Sequence, residues 1–152
     1  MSLSESDRQI LAALQQDGAA SLKDLAEKLN LSQSTLWRRV RDFEEAGVIA
    51  GRVTLLDPAK VGLSVCVFVH VNLRNHTTEN RDAFERFTRD QPNILECFSV
   101  TGPHDYVLIV RAADVGAFED FLMHRLLAQP SVASASSNVA LRQLKYTTVL
   151  PI

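Results

Sequence analysis

Only three residues, Asn30-Leu31-Ser32, separate two amphipathic stretches that each carry their own start and stop signals. That spacing constrains the fold more than any other feature of the chain. Ser21-Leu22-Lys23-Asp24 reads as a capping box, with a side-chain acceptor at each end of the first turn. Leu22, Leu25, Ala26 and Leu29 then share one helical face, and the helix ends near Asn30. Ser32 caps the next helix, Gln33 to Ala46, and Gly47 follows as a left-handed C-cap. An earlier helix opens on the box Ser4-Glu5-Ser6-Asp7, carries Ile10, Leu11 and Leu14, and stops at Asp17-Gly18. Two capped helices joined so tightly read as a helix-turn-helix, about residues 22–41.

The third helix can be tested by geometry. At about 100° per residue, Val40 and Phe43 fall within about 40° of Leu36 and form the buried stripe. Ser34, Arg38 and Arg41 lie near the opposite side with Thr35 beside them, and Trp37 lies about 100° off the core direction. Small hydroxyl residues early and arginines later suit a helix whose N-terminal end approaches base edges in the major groove. Charge alone would make Arg38-Arg39-Val40-Arg41 a solvated face, but the capped two-helix context favours DNA. The expected DNA-contacting set is Ser32, Gln33, Ser34, Thr35, Trp37, Arg38, Arg39, Arg41 and Arg52. Trp37 reads more readily as a boundary packing residue, and Arg52 sits beside the Gly51 turn. Val48 to Leu56 is apolar, partly β-branched and broken by Gly51. It predicts the two short strands or extended segments of a wing, closing a first domain over residues 3–62.

Beyond residue 62 the pattern becomes βαββαβ. Val65, Val67, Val69 and Val71 alternate with Cys66, Phe68, His70 and Asn72 along a strand spanning residues 63–74. A helix over 79–90 stops before Pro92. Strands over 94–101 and 106–112 flank Gly102-Pro103-His104-Asp105. A helix capped by Asp114 runs to about Ala128, and residues 132–144 read as a weaker extended segment. The order predicts a ferredoxin-like domain over 63–152, so the fold class is α+β. With the valines facing the helices, Cys66, Phe68 and His70 are left on an uncovered face, which a second copy across a two-fold axis would bury.

Composition narrows the function classes. The chain of 152 residues carries a net charge of −2. Residues 1–62 hold 8 basic and 9 acidic side chains, as do residues 63–152, so any basic feature is local. Two cysteines exclude a disulfide scaffold and fit a reducing compartment. No apolar run is long enough to span a membrane and no signal peptide is present, so the expected location is the cytoplasm. His70, His76, His104 and His124 show no metal-binding spacing. No phosphate-binding loop, nucleophile elbow or dinucleotide fingerprint occurs, and the expectation is neither a cofactor nor an enzymatic activity. His104 and Asp105, adjacent on a strand, point to opposite faces and make a poor acid–base pair.

The chain resembles the leucine-responsive/asparagine-operon (Lrp/AsnC) family of bacterial and archaeal regulators. The resemblance rests on Leu3 to Leu11, Leu31-Ser32, Arg39-Val40, Leu55-Leu56-Asp57-Pro58, Thr101-Gly102-Pro103-His104-Asp105-Tyr106 and Lys145-Tyr146-Thr147-Thr148. Each piece is weak alone; their order and spacing are specific. The resemblance implies a winged helix on double-stranded DNA and an amino-acid-binding regulatory domain. It also implies homodimers that assemble into octamers, and a small amino acid effector held between dimers at the Gly-x-x-Asp-Tyr turn. The implied effector residues are Thr101, Gly102, Pro103, His104, Asp105 and Tyr106, and this chain departs by carrying Pro103-His104 inside the turn. Asp105 there would attract an ammonium group, and backbone amides near Gly102 would receive a carboxylate; the bland alternative is a simple hairpin turn. The competing function is a small-molecule-binding or enzymatic ferredoxin-like module whose helical part only mediates assembly. An assembly helix would expose apolar residues, whereas this one exposes Ser34, Arg38 and Arg41.

Overall fold

The structure is a computed structural model that describes residues 2–152. It divides into two compact units: residues up to Leu55 together with Leu144–Ile152, and Leu56–Gln143. The expected division was 3–62 and 63–152. The boundary falls a few residues earlier, and the last nine residues group with the first unit.

The first unit is three helices: α1 (Glu5–Gln16), α2 (Leu22–Lys28) and α3 (Gln33–Glu45). The capping box at Ser4 is complete. The Asp7 amide donates to Ser4 Oγ at 3.2 Å and the Ser4 amide donates to Asp7 Oδ2 at 2.9 Å. The second expected box is half made. Ser21 Oγ accepts from the Asp24 amide at 3.1 Å, and the return bond is absent among the described residues. Between α2 and α3, Asn30 takes a left-handed φ of 53°, which its short polar side chain tolerates, and the Leu31 amide reaches back to Ala26 O. Gly47 ends α3 at φ 69°. Its amide bonds to Glu44 O while the Val48 amide bonds to Phe43 O, which is a Schellman closure requiring a residue free of Cβ strain. Leu36, Val40 and Phe43 are buried as the periodicity predicts, against Ile10, Leu11, Ala13, Leu25 and Ala26.

The expected wing strands are not formed. Residues 50–57 carry no regular secondary structure and pair with no strand among the described residues, and Val53, Leu55 and Leu56 are exposed. Strands exist by pairing with a neighbour, and a single copy supplies none here.

The second unit is a four-stranded antiparallel sheet in the order β2-β3-β1-β4, from β1 (Val65–Leu73), β2 (Ile94–Ser99), β3 (Tyr106–Ala112) and β4 (Val132–Val139). Helices α4 (Thr78–Asp90) and α5 (Val115–Phe121) complete the βαββαβ order. Val67, Val69 and Val71 are fully buried and lie opposite Val110, Leu108 and Tyr106. They pack with Phe84 and Phe87 of α4 and Phe118 and Phe121 of α5. The alternate set, Cys66, Phe68 and His70, faces away, opposite Arg111, Ile109 and Val107. The periodicity of the last helix hid one feature. Leu122–Leu126 is a π-helical turn, closed by the Leu127 amide on Leu122 O. Bonding five residues apart stacks Phe121 and Leu126 on one side, and both are buried.

Candidate DNA-reading helix and effector turn

Helix α3 separates its arginines by partner. Arg38 is exposed and makes no ion pair among the described residues. Arg39 was expected on DNA, but it lies about 60° from the Leu36 direction, close to the buried stripe. Its guanidinium binds the Asp7 carboxylate through Nε at 2.9 Å and through Nη2, and its Nη1 stands 3.5 Å from Asp42. It also covers the Phe43 ring, 5.4 Å from the centroid. Arg39 therefore fastens α3 to the start of α1 instead of presenting its charge outward. Burial pushes the Asp7 carboxyl up, but the bonds from Ser4 and Arg39 outweigh it and hold the group below the usual carboxylate range.

Arg41 pairs with Glu45 one turn on, Nε to Oε1 at 2.7 Å, and lies over Trp37 at 5.5 Å from the ring centroid. Trp37 is 52% exposed, further out than a packing residue. Arg52 is tied to Glu44 at 3.2 Å, near the C-terminal end of α3. Ser32 caps the helix through the Thr35 amide, and its Oγ also meets Thr35 Oγ1 at 2.7 Å and Ser34 Oγ at 3.1 Å. Gln33 and Ser34 are exposed. Gln33, Ser34, Trp37, Arg38 and Arg41 thus share the open side of α3, while Arg39 does not.

The second candidate site is the β2–β3 turn. Thr101, Gly102 and Pro103 are exposed, and Gly102 adopts φ 115°, a conformation glycine accepts without strain. Among the described residues the amides of Thr101, Gly102 and His104 have no backbone partner, whereas those of Val100 and Asp105 bond to Asp105 O and Val71 O. Asp105 is committed elsewhere than expected. Its Oδ2 accepts the Leu73 amide at 2.7 Å and its Oδ1 meets His76 Nε2 at 2.8 Å. The Leu73 amide first, then His76, keeps this carboxyl below its ordinary range. Asp105 is a latch between the turn and the end of β1, and its histidine partner is His76, not the adjacent His104.

His104 instead rests on His70 of β1, ring centroids 4.9 Å apart, and its buried Nδ1 has no hydrogen-bond partner among the described residues. Tyr106 leaves the turn altogether. Its ring packs 4.8 Å from Phe84 in the core and its hydroxyl donates to Glu85 Oε1 at 3.3 Å. Burial, then the Glu85 charge, pushes the phenol up. The turn therefore gathers Thr101 to Asp105 and excludes Tyr106. His70 and His76 join it, and no sequence spacing announced either, because His70 lies within β1 and His76 in the loop before α4, and only the fold brings them to the turn. No group of three His, Cys, Asp or Glu side chains that could hold a metal occurs among the described residues, and none of their helices is long and apolar enough to cross a membrane.

A three-helix unit with an open hydroxyl-and-arginine helix, in one chain with a ferredoxin-like sheet, defines a class of small DNA-binding proteins with an appended ligand domain. Residues 3–50 match the winged helix-turn-helix DNA-binding family and residues 66–150 match the Lrp/AsnC ligand binding domain. The chain belongs to the Lrp/AsnC family of DNA-binding transcriptional regulators. It is 36% identical over 150 residues to the DNA-binding transcriptional activator DecR of Escherichia coli K12, covering 99% of each chain. It is 35% identical to the glutamate uptake regulatory protein of Zymomonas mobilis, covering 99% of this chain and 91% of that one. A solved transcriptional regulator of Neisseria meningitidis, in complex with L-methionine, superimposes with a TM-score of 0.94 at 35% identity, covering 99% of this chain and 97% of that one.

Proposed function

We propose that this regulator binds its DNA site as a dimer built on the uncovered sheet face, that dimers assemble further into octamers, and that a small amino acid at the Thr101–Asp105 turn alters assembly or DNA affinity in the cytoplasm. The observation that carries the reading is the turn. It offers three backbone amides without backbone partners among the described residues, beside the Asp105 latch, and clustered amides of this kind receive carboxylates. The methionine complex of the Neisseria regulator supports an amino acid as the ligand class. The exposed apolar row of Phe68 and Phe98, with Val107 and Ile109 beside them, supports a copy-to-copy contact. A ligand held between copies favours one assembly over another, and that differential affinity is what regulation requires.

The test is calorimetry with each amino acid, together with a mobility shift on the chain's own upstream DNA. Wild type is expected to give heat and a changed shift with a small amino acid. Asp105→Asn keeps an acceptor for the Leu73 amide but removes the charge, and weakens the response while leaving ligand-free DNA binding intact. No heat and no change with any amino acid would defeat the effector reading.

A further inference from the structure

The last nine residues belong structurally to the DNA-reading unit, and one side chain holds them there. Gln15, in the last turn of α1, uses both ends of its carboxamide on Leu150. The Leu150 amide donates to Gln15 Oε1 at 2.6 Å, and Gln15 Nε2 donates to Leu150 O at 3.3 Å. That two-point contact imitates one rung of a β-ladder, and it requires a donor and an acceptor on one side chain. Thr148, Leu150 and Ile152 line a cavity of about 370 Å³ with Leu11, Leu14 and Ile49. The whole segment is nevertheless open to solvent: Leu144 and Tyr146 are exposed, and Leu150 itself is 66% exposed. It is a shallow contact fixed by a single clasp, which is what a reversible attachment needs.

The segment is covalently continuous with β4. The chain already passes between units at Leu55–Leu56, so the return of Leu144–Ile152 gives the DNA-reading unit a second covalent route to the sheet. We propose that residues 144–152 act as a strap, clasped by Gln15, that limits the volume the DNA-reading unit explores and so favours simultaneous engagement of two half-sites by a dimer. This rests on the reading of paired DNA-binding units given above. The physical basis is effective concentration. A unit held by two links is confined near its partner's half-site, whereas one held by a single link spreads over a larger volume.

The experiment uses the full chain, its Gln15→Ala and Gln15→Glu variants, and a truncation ending at Gln143. Circular dichroism checks the helices, which alanine supports. Each protein is titrated on an upstream duplex carrying the paired site and on its half-length version, and hydrogen exchange is followed in peptides covering residues 146–152. Gln15→Ala and the truncation are expected to lose about tenfold or more in affinity for the paired site and to bind the half-length duplex like wild type. Gln15→Ala is expected to speed exchange at Leu150. Gln15→Glu, which can accept but not donate, falls between. Unchanged exchange at Leu150, unchanged paired-site affinity, or equal losses on both duplexes would each overturn the strap. A wild-type chain that binds neither duplex defeats the DNA-binding reading instead, and the exchange measurement then decides the strap alone.

Discussion

Arg38 and Arg39 are neighbours in sequence and do opposite jobs. Arg38 is exposed and makes no ion pair among the described residues, while Arg39 closes on Asp7 across 32 residues. We expect Arg38→Ala, in a chain that keeps its helical spectrum, to cost about 1–3 kcal/mol of discrimination at one base pair, read by titrating DNA variants at each position. Arg39→Ala should instead lower the melting temperature. Asp7→Asn is expected to lower it by several degrees in a thermal scan, because the buried site loses its charge-assisted bonds to Arg39. The sign with pH follows. A carboxyl whose folded value lies below its unfolded one contributes stability above the ordinary carboxylate range, and that stability is lost as pH falls through the folded value. The melting temperatures of wild type and Asp7→Asn should therefore converge in acid. A constant gap down to strongly acidic pH would contradict this account. At about 100° per residue Arg39 falls nearer the core than Arg38 or Arg41, a signal that the expected DNA-contacting set passed over. Asp7, by contrast, was legible only as a cap residue, because its second partner lies two helices away and no local pattern encodes it.

At the scale of elements, period and caps carried the reading. The valine alternation of β1 assigned both faces of the sheet correctly, and Gly47 marked the end of α3. Where local pattern and tertiary pairing diverge, the sequence was silent. The π-helical turn at Leu122–Leu126 has the same apolar spacing as an ordinary helix. Val48 to Leu56 reads as short strands or extended segments, yet a strand needs a neighbour. Tyr106 was expected both to begin a strand and, by the resemblance, to meet an effector; it begins β3 on the inward side, where Phe84 and Glu85 claim both its ring and its hydroxyl. The outward side carries its own prediction. Phe68 is 40% exposed in the middle of β1, so Phe68→Asp removes apolar contact without opening the core. Light scattering should report a smaller assembly for the full-length variant than for wild type, with the melting temperature of wild type rising with protein concentration. A variant of unchanged mass would place the copy-to-copy contact on another face.

Across the whole molecule, the two-unit plan was readable because each half repeats a strong local grammar. The destination of the last nine residues was not. Residues 145–152 were placed in the second domain with no element assigned, and only their contacts in space, Gln15 with Leu150 among them, group them with the first. The allocation of arginines on α3 has a further consequence, in the ion atmosphere of the DNA. Each phosphate neutralised by a protein cation frees condensed counterions, and log affinity falls with log salt by about 0.9 per contact. On the DNA-reading side of one protomer, Arg41 and Arg52 already face glutamates and Arg39 is turned inward, in a chain whose net charge is −2. A single copy is therefore expected to displace few ions and to hold DNA with a shallow salt dependence; a steep one, measured on long DNA, would count the copies that touch the duplex together.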